Sequence, residues 1–238
     1  MREKELMRRL YSLDQTLCDF PDPKQAERDG LIAFGGDLSP KRLISAYSQG
    51  IFPWYSPGEP ILWWSPDPRF VLFPDNLHIS KSLSKVIQKE KYSITMDQAF
   101  TSVIQECANI RIENGCSTWI TKRMIQAYSQ LYEMGFAHSV ETWMEGKLVG
   151  GLYGISLGRM FSGESMFHRE SNASKVALVA LVAFARLYQF DFIDCQVATK
   201  HLKNLGAENI SRNYFFNILN KTLQHKHLQG RWVFGHSD

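Results

Sequence analysis

The apolar positions of this chain change period several times, and each change marks an element. Leu43, Ile44 and Tyr47 recur at helical spacing, and Ser39 as cap, Pro40 at the first turn and Gly50 as stop frame a helix over residues 40–49. Ser80 opens another helix, on which Lys81, Lys85 and Lys89 recur every four residues and form a basic stripe. Asp97 is expected to cap a third, with Phe100, Val103, Ile104, Cys107 and Arg111 at helical spacing, and Thr121 begins a fourth that runs through Tyr128 and Leu131 to a stop at Gly135. From Ala137 the period falls to two. Segments 140–144 and 148–155 flank a Glu145-Gly146 hairpin turn, and Gly158-Arg159 leads into a third strand over 160–167. Gly150, Gly151 and Gly154 leave the middle strand bare, which marks close approach by a ligand or another chain segment. Residues 175–188 are apolar nearly all round and predict a buried helix. The strand 192–197 follows, then a helix over 201–206 ending at Leu205-Gly206-Ala207.

Two stretches break these patterns. Residues 51–69 place Trp54, Trp63 and Trp64 among prolines, which predicts a rigid loop rather than a long helix or a central strand. Such a loop is either an apolar plug, with Trp63 or Trp64 holding a small N-terminal unit to a larger one, or the wall of a binding site. Regular elements begin after it, so the chain divides into a small N-terminal domain, 1–68, and a larger domain, 69–238. The second stretch is Phe192-Ile193-Asp194-Cys195-Gln196-Val197. Strand alternation puts Asp194 and Gln196 on one face, and a carboxylate in an apolar strand must be paired, hydrogen-bonded or open to a reactive cavity. Taken alone, the stretch favours a structural aspartate.

At 238 residues and 44% hydrophobic content the chain can bury a full core, and a net charge of +3 neither demands nor excludes nucleic acid. Cys18, Cys107, Cys116 and Cys195 show no paired spacing, and the charged opening over residues 1–17 has no signal core, so a reduced, cytoplasmic protein is expected. The longest apolar run, 176–187, is too short to cross a bilayer, so no membrane partner is expected. His225 and His227 lack nearby ligands for a metal, and Cys195 lacks a histidine partner for nucleophilic work. No metal or cofactor is called for. His138, near Glu141, reads as a structural hydrogen-bonding residue.

Helices, an antiparallel meander, a buried helix, a strand and a helix ending in Leu-Gly-Ala resemble, in that order, the GNAT acyltransferase fold. The fold class is therefore expected to be α+β, a GNAT-like catalytic domain preceded by the small N-terminal domain. GNAT enzymes that use acetyl-CoA carry a Gly-rich turn before the crossing helix, whereas residues 167–175 here contain no glycine, which implies another acyl carrier. The motifs Gly35-Gly36-Asp37-Leu38-Ser39-Pro40, the tryptophan-rich block 50–69, Thr118-Trp119-Ile120, His138-Ser139-Val140-Glu141, Gly163-Glu164-Ser165-Met166-Phe167, Ser174-Lys175 and Asp194-Cys195-Gln196 together resemble the leucyl/phenylalanyl-tRNA–protein transferase family. The chain departs from that pattern at Cys116-Ser117, His168 and Asn204, where substrate preference could differ.

The resemblance implies transfer of leucine or phenylalanine from Leu-tRNA or Phe-tRNA to proteins that begin with Arg or Lys, marking them for degradation. It places Trp54, Trp119, Met166 and Phe167 about the aminoacyl side chain or the terminal adenosine, although alternation lets only one of Met166 and Phe167 face a cavity. Glu164 is expected to face the aminoacyl adenosine or the acceptor, and Asp194 and Gln196 to be the catalytic pair. A carboxamide is a poor base, so Gln196 is assigned to orienting the amine and Asp194 to holding the ammonium. The Lys81, Lys85 and Lys89 stripe is the expected contact for tRNA phosphates. Nothing demands an oligomer, and a monomer is expected. Two other readings stay open: a GNAT-type enzyme that builds peptides from another aminoacyl-tRNA, and a tRNA-binding module without activity.

Overall fold

The structure is a computed structural model that describes residues 10–14, 18–27 and 29–235. Most of the charged opening stretch lies outside the described residues.

A four-stranded sheet is built by β1 (Tyr11–Leu13), β2 (Leu31–Gly35), β3 (Phe52–Pro53) and β4 (Leu62–Trp64) in the order β1-β2-β4-β3. Helix α1 (Pro40–Ser48) lies between β2 and β3 in sequence, and the Ser39 hydroxyl accepts from the Arg42 backbone N–H. The proline-rich stretch is therefore not loop throughout. Leu62–Trp64 is free of proline and takes a central position, while Pro53, which cannot donate to a ladder, falls on the edge strand. Trp63 is fully buried; it donates its indole N–H to Gly35 O at 3.0 Å and meets the Phe20 ring edge-on, both partners lying within the N-terminal residues.

A seven-stranded sheet follows, with β5 (Arg69–Leu72), β6 (Ser93–Met96), β7 (Ala137–Met144), β8 (Lys147–Leu157), β9 (Met160–His168), β10 (Phe192–Gln196) and β11 (Glu208–Ile210) in the order β11-β5-β10-β9-β8-β7-β6. Between these strands run α2 (Lys81–Gln88), α3 (Phe100–Glu113), α4 (Lys122–Glu133), α5 (Ala173–Leu187), the single turn α6 (Lys200–Lys203) and, last, α7 (Arg212–Thr222). The ladder between β9 and β10 is parallel, and the other five are antiparallel. A parallel pair needs a crossover, and α5 supplies it. The Glu145-Gly146 hairpin has positive φ at both central residues, 52° and 72°, which suits the twist of the flanking strands. Among the described residues no helix is long and apolar enough to cross a membrane.

One apolar cluster runs from Leu43, Tyr47 and Trp63 through Phe100 and Tyr128 to Tyr153, Phe192 and Phe215, so the two sheets share a core. The other cluster packs Val176, Leu178 and Leu181 of α5 with Leu72 and Ile193. Two elements differ from expectation. Asp97 does not cap α3: at φ 55° its buried carboxylate accepts from the Ser139 and Trp232 backbone N–H groups and contacts His138 Nδ1 at 2.8 Å, while Glu141 accepts from Ala99 N at the helix start. His138 is thus a structural histidine, stacked on Trp232 with ring centroids 3.8 Å apart. Beyond Gly206, where the pattern analysis places no further element, the chain forms α7, whose buried Phe215, Phe216 and Leu219 do carry helical spacing.

The bare glycines of β8 meet chain, not open space. A Cβ on Gly154 would lie 2.2 Å from Ser162 O, and one on Gly150 would lie 2.5 Å from Ala173 Cβ. Gly154→Ala is expected to cost about 1–3 kcal/mol or more, because the clash is with backbone that β9 cannot withdraw. Urea unfolding measures the loss, and an unchanged midpoint would contradict the close approach.

Candidate active site

β9 and β10 pair only as far as Ser162 and Asp194. Beyond that register β9 continues to His168 while β10 ends, and a cavity of about 390 Å³ opens in the gap. Leu152, Phe161, Met166, Leu178, Leu181 and Ile193 line its apolar side. Trp54 and Trp119 also line it; Trp54 is 45% exposed and Trp119 half-buried, so their faces remain available to a ligand. Trp64 fixes the Trp54 backbone by donating its indole N–H to Trp54 O at 2.7 Å.

The polar wall begins on β10. Between Asp194 and Gln196 the register with β5 slips by a residue, and Gln196 takes φ 57°, the left-handed region that a side chain seldom occupies. The bulge turns Gln196 into the cavity wall, and its own backbone N–H donates to Asp194 Oδ1 at 3.0 Å. Asp194 stands behind it. Arg69 Nε reaches Oδ1 at 2.8 Å and Arg69 Nη2 reaches Oδ2 at 2.6 Å, and each residue of the pair is only 1% exposed. The pairing corrects the expectation that Asp194 holds the acceptor ammonium, because its charge is already matched and its oxygens lie out of the cavity lining. What Asp194 does is orient. The Ser162 hydroxyl donates towards Asp194 Oδ2 at 3.5 Å, which leaves Ser162 Oγ to accept from Gln196 Nε2 at 3.0 Å. The same Nε2 donates to Glu164 Oε1 at 3.1 Å, so the amide nitrogen faces these two partners and the carbonyl oxygen faces away.

Glu164 completes the wall. Tyr47 donates to Oε1 at 2.7 Å, Tyr128 donates to Oε2 at 3.0 Å, and the two hydroxyl oxygens are 2.5 Å apart. Burial pushes the Glu164 carboxyl up to about 7; hydrogen bonds from the tyrosines and the charge of Arg69 oppose the rise, and Asp194 adds to it. Both tyrosine hydroxyls are pushed well above their ordinary range by burial, so they remain donors.

Of the residues singled out in the sequence, the structure gathers Trp54, Trp119, Glu164, Met166 and Gln196 around one cavity. Phe167 is turned away: it neighbours Met166 on β9, so alternation places it in the opposite core at 1% exposure. Lys81, Lys85 and Lys89 are exposed and do not line the cavity. Sequence reasoning missed Arg69, Ser162, Tyr47 as a polar partner, and Tyr128. For Arg69 a signal existed, since an arginine at the head of the apolar run Phe70-Val71-Leu72 needs a buried acid as much as Asp194 needs a base.

A helix-linked parallel pair that parts midway in an otherwise antiparallel sheet, with a cavity at the parting, is the arrangement of a GNAT-like acyltransferase. Among solved structures the chain is similar, at TM-score 0.36 and 12% identity over 63% of this chain and 99% of that one, to a crystal structure of an aminoglycoside acetyltransferase from an uncultured soil metagenomic sample in complex with sisomicin. Residues 71–220 match the family described as leucyl/phenylalanyl-tRNA protein transferase, and residues 36–67 match the N-terminal domain of the same family. A relative from Desulfatibacillum aliphaticivorans, a leucyl/phenylalanyl-tRNA–protein transferase, is 53% identical over 94% of this chain and 95% of its own length. Another, from Nitrosospira multiformis, is 57% identical over 87% and 89%. This chain belongs to the leucyl/phenylalanyl-tRNA–protein transferase family.

The Arg69–Asp194 pair yields a stability test. Asp194→Ala leaves a buried guanidinium unmatched and is expected to cost about 3–5 kcal/mol, whereas the double variant Arg69→Met/Asp194→Leu recovers most of the loss. Denaturant unfolding of both variants checks this; a single variant as stable as the wild type would show that the pair is not the buried bridge described.

Proposed function

We propose that the cavity binds the aminoacylated end of Leu-tRNA or Phe-tRNA and that the chain transfers the aminoacyl group to the α-amine of a protein beginning with Arg or Lys. The observation that carries this reading is the position of an apolar chamber directly beside the Gln196–Glu164 wall and under Trp54 and Trp119. A leucine or phenylalanine side chain fits the chamber of Leu152, Met166, Leu178 and Leu181, and the terminal adenosine stacks on a tryptophan face. The ester then lies at the parting of β9 and β10, with the Gln196 carbonyl free to accept from the incoming amine. Asp194 and Gln196 remain the catalytic pair of this reading, with Asp194 acting through Ser162 and Gln196 rather than on the ammonium.

The reaction asks mainly for placement. A free α-amine has a reference pKa of roughly 7.7–8.0, so a useful fraction is neutral near pH 7. Alignment of amine and ester is worth up to about 7–11 kcal/mol in favourable models, more than a positioned base supplies. The loop that would cradle a pyrophosphate in a CoA-dependent relative has other partners here: the Arg169 and Glu170 backbone N–H groups donate to Val149 O, and the Arg169 guanidinium is held by Glu106 and Glu113. This supports an acyl carrier other than CoA and no cofactor. Residues 1–68 and 69–238 are the proposed working units, in a cytoplasmic monomer, and the exposed Lys81, Lys85 and Lys89 are the proposed contact for tRNA phosphates.

Incubation with radiolabelled Leu-tRNA, Phe-tRNA and a third aminoacyl-tRNA, plus peptides beginning with Arg or Met, tests the reading. Label from the first two is expected on the Arg peptide; label on neither peptide would overturn it. Trp54→Ala and Trp119→Ala should each weaken binding of the aminoacyl-tRNA end by about 1–3 kcal/mol. Gln196→Ala should lower turnover more than affinity. Replacing the three lysines with alanine should flatten the salt dependence of tRNA binding by about two to three units of slope.

A further inference from the structure

Glu164, Tyr47 and Tyr128 form a closed triangle of oxygen contacts at 2.7, 3.0 and 2.5 Å. Each contact is a hydrogen-bond distance and needs one hydrogen. The two tyrosines bring one hydrogen each, so with Glu164 ionised one side of the triangle is bare, whichever way the hydroxyls turn. A single added proton closes the ring. Gln196 fixes its position, because Nε2 occupies Glu164 Oε1 as an acceptor and leaves Oε2 to carry the proton. Oε2–H then donates to Tyr128, Tyr128 to Tyr47, and Tyr47 to Oε1. The triangle is shaped to receive one proton with no heavy atom moving, only the Tyr128 hydroxyl turning from Glu164 to Tyr47, and Glu164 lines the cavity where ester and amine meet.

We propose that Glu164 is the proton acceptor of the transfer reaction, with Tyr47 and Tyr128 holding the received proton in the ring until the leaving oxygen takes one. This rests on the aminoacyl-transfer reading above. The amine nitrogen bonds to the ester carbonyl carbon and gives one proton to the Glu164 carboxylate. As the carbon–oxygen bond to the ribose breaks, one proton passes from Glu164 to the ribose oxygen. Nitrogen loses a proton and oxygen gains one, and the ring returns to its starting charge.

The charged and titratable groups facing Glu164 are few. α1 contributes Tyr47, α4 contributes Tyr128, β8 contributes Tyr153, and β10 and β5 contribute Asp194 and Arg69, which neutralise each other. Arg111 of α3 and His201 of α6 line the same cavity. The balance leaves Glu164 titrating at about 7, between a full-strength base and a full-strength acid at neutral pH.

The test is the pH dependence of kcat/KM for Leu transfer to an Arg peptide. In the wild type two groups must lose protons on the acid side, the free amine and Glu164, so log kcat/KM should approach a slope of two below about pH 6.5. Glu164→Gln keeps the shape and the hydrogen bonds but accepts no proton: the slope should fall to one, and the rate at pH 7.5 should drop about 100-fold or more, with aminoacyl-tRNA affinity unchanged. Tyr47→Phe removes a bond that favours the carboxylate, so the Glu164 limb should move to higher pH. That shift keeps the idea testable should Glu164→Gln fold poorly. A Glu164→Gln enzyme with wild-type rate and slope, or a Tyr47→Phe limb that stays in place, overturns the assignment. No transfer by the wild type overturns the parent reading and this one with it.

Discussion

Arg69 is the side chain on which the two halves of the molecule meet. Its guanidinium is fully buried, bound on one edge to Asp194 and by Nη1 to Gly50 O at 3.0 Å, and sandwiched against the rings of Phe52 and Phe215 at 5.0 and 4.5 Å. A buried cation is costly unless every donor is directed. Here the direction ties the end of α1, the strand β3, the strand β10 and the helix α7 to one point. Removing β10 leaves the charge unmatched, and removing any of the others strips a carbonyl or an aromatic face from it, so the site enforces the arrangement as much as it stabilises it.

Through Asp194 that constraint extends to the cavity. Asp194 fixes Ser162 and the backbone of Gln196, Ser162 fixes the Gln196 amide, and the amide fixes Glu164. Each step is an ordinary hydrogen bond, but in a low-dielectric, largely buried setting each bond counts for more, so the orientation of one group dictates the next. The strained φ of Gln196 belongs to the same logic. A side chain in the left-handed region persists only where its surroundings over-determine it, and here the bulge against β5 and the bond to Asp194 do so.

The N-terminal part contributes side chains to the cavity and its wall as well as packing. Tyr47 comes from α1 and Trp54 follows β3, while Tyr128 belongs to α4 and Glu164 to β9. The cavity and the tyrosine–glutamate ring therefore exist only when the four-stranded sheet is docked on the seven-stranded one. The shared apolar cluster through Trp63, Tyr47 and Phe215 packs the two sheets together.

The helices α1 to α5, the meander and the strand of Asp194 and Gln196 were legible in the sequence, because caps, turn glycines and apolar period are local signals that act within a few residues. So were Trp54, Trp119, Met166 and Glu164, through the motifs around them. Phe167 was half-legible: alternation says that only one of two neighbours faces the cavity, but not which. The sequence alone could require that Asp194 have a partner; it could not say that the partner stands 125 residues earlier at Arg69, nor that Tyr47 and Tyr128 close on Glu164 from 117 and 36 residues away. Those pairings are set by sheet order and helix docking. The sequence by itself determined that Asp194 needs a partner and that Trp54, Trp119, Met166 and Glu164 sit in distinctive motifs, and only the tertiary structure decided that Asp194 is paired with Arg69 behind the cavity wall, because burying its charge demanded a match that the strand itself does not carry.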